Sequence, residues 1–134
     1  MPAIIDTDPG IDDAIAILYA LRHPGLEIAA MTTVAGNIGL SVTTANAGRI
    51  AALAGMPTPV HPGAKAPLGR APRPELGIHG NDGLGGVAFP DAARAPEAED
   101  AVAYLARTLT AAPEKTIDLL CLAPLTNIAN LVTQ

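Results

Sequence analysis

The chain has 134 residues, 49% of them hydrophobic, which is enough for one ordinary core and short for two domains. Its net charge of -5 argues against nucleic acid or an anionic membrane as a partner, because both require a basic face, so a small polar ligand fits better. No export-like segment and no apolar span of about 18 residues occurs, and a cytoplasmic location is therefore the default expectation.

The first predicted strand, residues 2–5, is followed by four aspartates within residues 6–13. Carboxylates this close repel one another unless a positive charge neutralises them, and the nearest basic residue downstream is Arg22. Hard cations such as Ca²⁺ and Mg²⁺ take carboxylate and carbonyl oxygens as ligands. The segment therefore predicts a divalent-metal site at a turn between strand and helix.

Two other interpretations of the same aspartates are weaker. Asp12 and Asp13 could serve the first turn of a helix and Asp6 could end the strand, but Asp8 would then remain an unexplained charge. An EF-hand loop requires glycine at its sixth position, whereas counting from Asp6 places Ile11 there.

Further along the chain, strands and helices alternate. Apolar periodicity and breaker residues predict the following elements: helix 13–23, with Ile15, Leu18, Tyr19 and Leu21 on one apolar face; strand 26–34; helix 41–54; strand 60–62; helix 98–111, with Glu97, Glu99 and Asp100 at its start; strand 116–122; and a helix from Thr126 or Asn127. This order favours an α/β fold with an open, mostly parallel sheet, helices on both faces and a Rossmann-like core. Ligands of such folds lie beyond the carboxyl ends of the strands, where residues 6–13, residues 35–37 and the residues after Leu122 would converge.

Residues 63–96 form a long, glycine-rich stretch with poor periodicity, which suggests function or mobility. Within it, His79 lies near glycines that would leave its imidazole exposed, and it is a candidate site residue. His23 and His61 are interpreted as ordinary loop residues beside prolines. The single cysteine, Cys121, is expected in the buried core.

The last predicted helix has no glycine or proline to end it before residue 134. Helices that stop in this way are unusual at the end of a domain. We therefore expect residues 1–134 to be the N-terminal part of a single, longer domain.

Four segments, DTDPGIDDA, TTVAGN, GIHGNDGLGG and LAPLTNIA, occur in this order and together resemble the nucleoside hydrolases that prefer inosine and uridine or related nucleosides. The resemblance runs from residue 2 to residue 134, and it departs from the family at Ala123, where glycine is usual. It implies a nucleoside hydrolase-like fold with one Ca²⁺ at the bottom of the pocket. It also implies hydrolysis of the N-glycosidic bond of ribonucleosides to ribose and free base.

By this resemblance, Asp8, Asp13 and the backbone carbonyl of Leu122 would be Ca²⁺ ligands. Asp8 would also act as the general base towards the attacking water. Asp12 and Asn37 would hold the ribose hydroxyls, and His79 would face the base. These roles suit the residue types, since a divalent cation lowers the pKa of water and a carboxylate can accept its proton.

The family pattern also uses later residues that have no counterpart here, so we expect little or no activity from the 134-residue chain alone and a homo-oligomer, dimer or tetramer, from the intact protein. A nucleoside- or ribose-binding fragment without turnover is the alternative. A Mg²⁺-dependent phosphatase is less consistent with the sequence, because Pro9 and Gly10 follow the second aspartate instead of the expected threonine- or valine-rich continuation.

Overall fold

A four-stranded parallel β-sheet forms the centre of the computed structural model, which describes residues 1–133, with the backbone alone for Leu76. The elements are β1 (Pro2–Thr7), α1 (Ile11–Arg22), β2 (Glu27–Thr33), α2 (Leu40–Leu53), β3 (Val60–Pro62), α3 (Leu76–His79), α4 (Ala101–Ala111), β4 (Asp118–Cys121) and α5 (Thr126–Val132). The strand order is β3-β2-β1-β4, and every neighbouring pair is parallel. The predicted α/β class with a mostly parallel sheet is confirmed.

The sheet is built around β1, whose Ile4 and Ile5 are fully buried between two neighbouring strands. Continuous apolar runs of this kind suit parallel strands, which are covered on both faces. The helix α1 packs against α2, and α4 packs against α5. The helices α1 and α2 share one core cluster with the sheet, which contains no residue of α4. This agrees with the right-handed crossovers usual for parallel strands, which would place α1 and α2 on one face and α4 on the other.

The apolar face predicted for α1 is wrong at two of its positions. Ile15 is 68% exposed and Tyr19 is 65% exposed, whereas Ala14 and Ile17 are buried in the core. The helix is apolar around most of its circumference, so periodicity does not single out one face. Small alanines face the sheet because they allow the helix to approach it closely.

The helix α4 begins at Ala101, three residues later than predicted, because Asp100 is its N-cap. The Asp100 carboxylate accepts hydrogen bonds from the backbone N–H groups of Val102 (2.9 Å) and Ala103 (3.1 Å). The two glutamates expected in the first turn instead precede the helix, where they form ion pairs with arginines: Glu97 with Arg94, and Glu99 with Arg107.

His61 is not a loop residue as predicted. It lies in β3, is buried, and stacks on the Tyr104 ring with the ring centres 3.9 Å apart. Its Nδ1 lies 2.9 Å from the backbone carbonyl oxygen of Glu99. Cys121 is only partly buried, because β4 forms one edge of the sheet described by residues 1–133.

In the part of the chain that the structure describes, we find no helix of the length and apolar character required to cross a membrane.

Candidate functional site

The carboxyl ends of the strands surround a cleft of about 320 Å³. Its floor is formed by the loops after β1, β2 and β4, and its side by residues from the segment before α3. The lining residues are Asp8, Asp12, Asp13, Ala35, Gly36, Asn37, Pro67, Arg70, Pro72, Arg73, Glu75, Leu122, Ala123 and Pro124. Thus the structure brings five of the six sequence-predicted site residues into one cleft, at the end of the sheet where ligands of parallel α/β folds bind.

Asp8 lies directly after β1, in the floor of this cleft, and is only 4% exposed. Its Oδ2 accepts a hydrogen bond from the backbone N–H of Asn37 (2.6 Å), and its backbone carbonyl accepts one from the Asn37 side-chain amide (3.1 Å). A β-carbon at position 36 would overlap the Asp8 carboxylate, so the close approach requires Gly36. Burial raises the pKa of Asp8 to about 6; the Asn37 hydrogen bond opposes this shift, and the neighbouring Asp13 and Asp12 charges add to it.

Asp13 lies in the first turn of α1 and is 6% exposed. Its Oδ2 accepts a hydrogen bond from the backbone N–H of Gly10 (3.2 Å), and the Asn37 amide lies 3.4 Å from the same oxygen. Burial raises the pKa of Asp13 despite the Gly10 hydrogen bond. Asp12 is exposed at the mouth of the cleft. Asn37 therefore links the two buried carboxylates.

His79 is placed differently from the prediction. Its imidazole is buried, at 7% exposed, rather than open to solvent, and it is not among the residues that line the cleft. Its Nδ1 accepts a hydrogen bond from the backbone N–H of Ile11 at the start of α1 (3.2 Å). A β-carbon on Gly10 would lie 2.6 Å from that Nδ1 and 2.9 Å from the Asn37 amide nitrogen, so His79 packs directly behind the acidic loop.

Three charged residues of the cleft, Arg70, Arg73 and Glu75, were missed by the sequence analysis. They belong to a segment without periodicity or a motif, so no local signal places them near the aspartates. The backbone N–H of Glu75 donates to the carbonyl of Asn37 (2.9 Å), and this bond attaches the segment to the cleft.

The donor set of the cleft fits a hard divalent cation. Asp8 and Asp13 are buried carboxylates, and no lysine or arginine among residues 1–133 forms an ion pair with either of them. The lining carries four carboxylates against two guanidinium groups. Within the same residues, no three His, Cys, Asp or Glu side chains form a metal-binding group on their own, so a cation would need backbone oxygen such as that of Leu122.

A larger groove of about 990 Å³ lies between α2 and residues 91–96. It is lined mainly by apolar and small side chains, and Asp91 is its one carboxylate among the described residues. This groove holds none of the buried acidic groups. The candidate active site is therefore the cleft of about 320 Å³, although it is the smaller of the two.

The parallel sheet and the acidic cleft at its carboxyl edge define an α/β protein with a candidate small-molecule site. Comparison with known families makes this more specific. Residues 3–134 match the model of the inosine-uridine preferring nucleoside hydrolases, and the chain belongs to this enzyme family. The resemblance stated from the four motifs is thereby confirmed.

Individual relatives agree with this assignment. A non-specific ribonucleoside hydrolase, RihC, of Escherichia fergusonii is 42% identical over all 134 residues, which correspond to 44% of its own length. A purine-preferring ribonucleoside hydrolase structure from Gardnerella vaginalis superposes with a TM-score of 0.92 at 31% identity, covering 99% of this chain and 43% of that one. A plant nucleoside hydrolase gives 0.88 at 39% identity, covering 98% and 42%. The chain therefore spans less than half the length of these relatives.

Proposed function

We propose that this chain supplies the metal-binding floor and the general base of a Ca²⁺-dependent ribonucleoside hydrolase. The enzyme would cleave the N-glycosidic bond with water and release ribose and the free base. Membership of the nucleoside hydrolase family supports the reaction class. The observation that carries the proposal is Asp8, a carboxylate buried at the bottom of the cleft, without a basic partner among the described residues.

Asp8 is the proposed general base. A base works best when its pKa lies near the operating pH, and burial raises the pKa of Asp8 to about 6. The Asn37 backbone N–H holds one carboxylate oxygen in place, so the side chain has a fixed orientation towards the cleft. Asp8 would accept a proton from the attacking water as the bond between sugar and base breaks.

Asp8, Asp13 and the backbone carbonyl of Leu122 would hold the Ca²⁺. When bound, the cation neutralises the buried carboxylates and lowers the pKa of water in the cleft. Support for this set comes from the shared cleft and from burial, which raises the pKa of both aspartates, with a smaller contribution from the repulsion of neighbouring carboxylates.

Asp12 and Asn37 would hold the ribose hydroxyls, since both line the cleft next to Asp8. A carboxylate near the sugar also stabilises the oxocarbenium-like charge that develops there. We keep for His79 the proposed role of facing the base, although it lies behind the acidic loop and outside the lining that these residues give the cleft. Because its Nδ1 accepts from Ile11, its neutral form carries the proton on Nε2, the nitrogen left to donate to a leaving base.

This chain covers only part of the length of its relatives, and this affects the activity expected of the chain alone. It spans 44% of the curated relative from E. fergusonii, so much of the wall around a bound nucleoside would come from residues outside these 134. We therefore expect little or no turnover by this chain alone. The family resemblance, rather than the length, implies dimers or tetramers for the intact protein. Binding of nucleoside or ribose without turnover is the second candidate function.

The test is calorimetric titration of Ca²⁺ into the wild-type chain and its Asp8→Asn variant, followed by inosine and uridine hydrolysis on the same samples. Asp118→Asn is the matched control, because Asp118 is an exposed carboxylate on β4 outside the cleft. We expect binding that is lost in Asp8→Asn and retained in Asp118→Asn. Equal binding by all three proteins, or none by a folded wild-type chain, would contradict the metal assignment.

A further inference from the structure

The side chain of Asn127 forms hydrogen bonds at the ends of three strands, β1, β2 and β3, and its own helix follows the fourth strand, β4. It is fully buried in the first turn of α5, just after β4. Its amide nitrogen donates to Asp6 Oδ1 at the end of β1 (2.8 Å) and to the backbone carbonyl of Thr33 at the end of β2 (3.0 Å). Its amide oxygen accepts from the backbone N–H of Ala64, just beyond β3 (2.9 Å). Both N–H donors of the amide are thus used, and each bond leads to a different part of the chain.

The local sequence is adapted to this arrangement. A β-carbon on Gly63 would overlap the Asn127 amide, so glycine at this position lets the chain after β3 reach the side chain. Thr32 Oγ1 donates a second hydrogen bond to Asp6 Oδ1 (2.6 Å). The backbone N–H of Ala35 donates to the Ala64 carbonyl (2.9 Å), which connects the same junction to the loop that follows β2.

The segments joined in this way carry the candidate site. Asp6 precedes Asp8 by two residues, and its backbone carbonyl accepts a hydrogen bond from the N–H of Leu122 (2.8 Å). Thr33 precedes Asn37 by four residues. Asn127 itself is not among the residues that line the cleft, so any effect on the site would act through the strand ends.

We propose that Asn127 is a positioning residue, which holds the four strand ends in register so that Asp8, Asn37 and the Leu122 carbonyl meet in one cleft. Its bearing on metal binding rests on the proposed function, whereas its effect on the strand ends does not. Hydrogen bonds between fully buried groups restrict their partners strongly, since no water replaces a lost bond.

The test is Asn127→Asp, which keeps the shape of the side chain, removes both donors, and places a carboxylate against Asp6 and the Thr33 carbonyl. Amide hydrogen exchange by NMR is read at four strand-end amides, Ala35, Asn37, Ala64 and Leu122, with the Met31 amide within β2 as the internal reference. We expect exchange at the four amides to accelerate by about tenfold relative to Met31, because local opening is governed by local hydrogen bonds. Ca²⁺ affinity should fall by about tenfold or more with the loss of the preformed ligand geometry.

Asn46→Asp is the matched control. Asn46 is also a fully buried asparagine, but its amide donates to the backbone carbonyl of Asp82 (2.8 Å) and to none of the strand ends. This variant should accelerate amide exchange at Gly83 and Leu84 and leave exchange at the four strand-end amides unchanged. The double variant Asp6→Asn with Asn127→Asp swaps the positions of the amide and the carboxylate. It restores one N–H donor between these two side chains, so exchange at the strand-end amides should slow again in part.

Two results would overturn the positioning role: amide exchange in Asn127→Asp that is faster to the same extent across the whole sheet, or exchange at the four strand-end amides that is as slow as in wild type. If Asn127→Asp does not fold, Asn127→Ala is read in the same way, because it removes the three bonds without adding charge. Faster exchange confined to the strand ends in Asn127→Asp, together with no Ca²⁺ binding by the wild-type chain, would support the positioning role and reject the metal assignment.

Discussion

At the scale of single residues, the site depends on how closely two loops approach each other. The Asp8 carboxylate occupies the space where residue 36 would have a β-carbon, and Asn37 donates to that same carboxylate. The loop after β2 is therefore shaped around Asp8. Glycine is required here for space, since the backbone dihedral φ of Gly36 is not among the positive values found in this chain.

Gly36→Ala should therefore displace Asp8. We expect Ca²⁺ affinity to fall by roughly tenfold or more, and stability to fall by about 1–3 kcal/mol, as is usual for an inserted group in a packed site. The measurements are calorimetric Ca²⁺ titration and urea unfolding. Gly39→Ala is the control, because a β-carbon there meets nothing within 4 Å and φ is -64°. If both variants bind Ca²⁺ like wild type, the overlap at position 36 does not shape the site.

At the scale of elements, the sequence indicated the order and type of the main strands and helices, because buried runs and breakers such as Pro24-Gly25 are local signals. It failed where the outcome depends on a distant partner. Ile15 and Tyr19 are as apolar as the buried Ile17, and the face that α1 presents to the sheet is decided by packing against α2. The burial of His61 likewise depends on a residue distant in the sequence, because Tyr104 stacks on its ring.

The same limit applied to the candidate site. The aspartates of residues 6–13 were recognised because their charge pattern is local and needs an explanation. The contacts of Asn127 join it to residues 94 and 121 positions away, and no local pattern predicts such contacts. Arg70 and Arg73 reach the cleft through an irregular segment, which gives no periodicity from which to place them.

The start of α4 provides a test at this scale. Asp100 satisfies two backbone N–H groups of the first turn, which would otherwise lack partners in the helix. Asp100→Ala should lower the free energy of unfolding by about 0.5–2 kcal/mol in urea, without changing the cleft. Asp100→Asn keeps a capping oxygen and should retain most of the stability. Equal losses in the two variants would show that capping is not the role of this residue.

At the scale of the whole molecule, the parallel sheet gathers several carboxylates at one edge, and among the described residues no lysine or arginine forms an ion pair with them. Asp6, Asp8 and Asp13 each have a raised pKa, with burial as the main cause in all three. Burial without a counter-charge disfavours the ionised form. The fold therefore holds a site that is electrostatically unfavourable by itself at neutral pH and is suited to a cation.

The raised pKa of the buried carboxylates predicts how the stability of the metal-free protein depends on pH. The pKa of Asp8 rises from 3.8 in the unfolded chain to about 6 in the folded one, so between these values the folded state binds more protons and stability falls as pH rises. In a chelator, the unfolding temperature should decrease from about pH 4 to about pH 6, and the raised pKa values of Asp6 and Asp13 add to the decrease in the same direction. Asp8→Asn should reduce this slope by the contribution of Asp8. Saturating Ca²⁺ at pH 7 should restore stability in wild type and not in the variant, because a ligand of the folded state stabilises it. Two partly exposed acids with lowered pKa, Asp82 and Glu99, act in the opposite direction and at lower pH. A slope that Asp8→Asn leaves unchanged would show that the buried carboxylate does not control the stability of the fold.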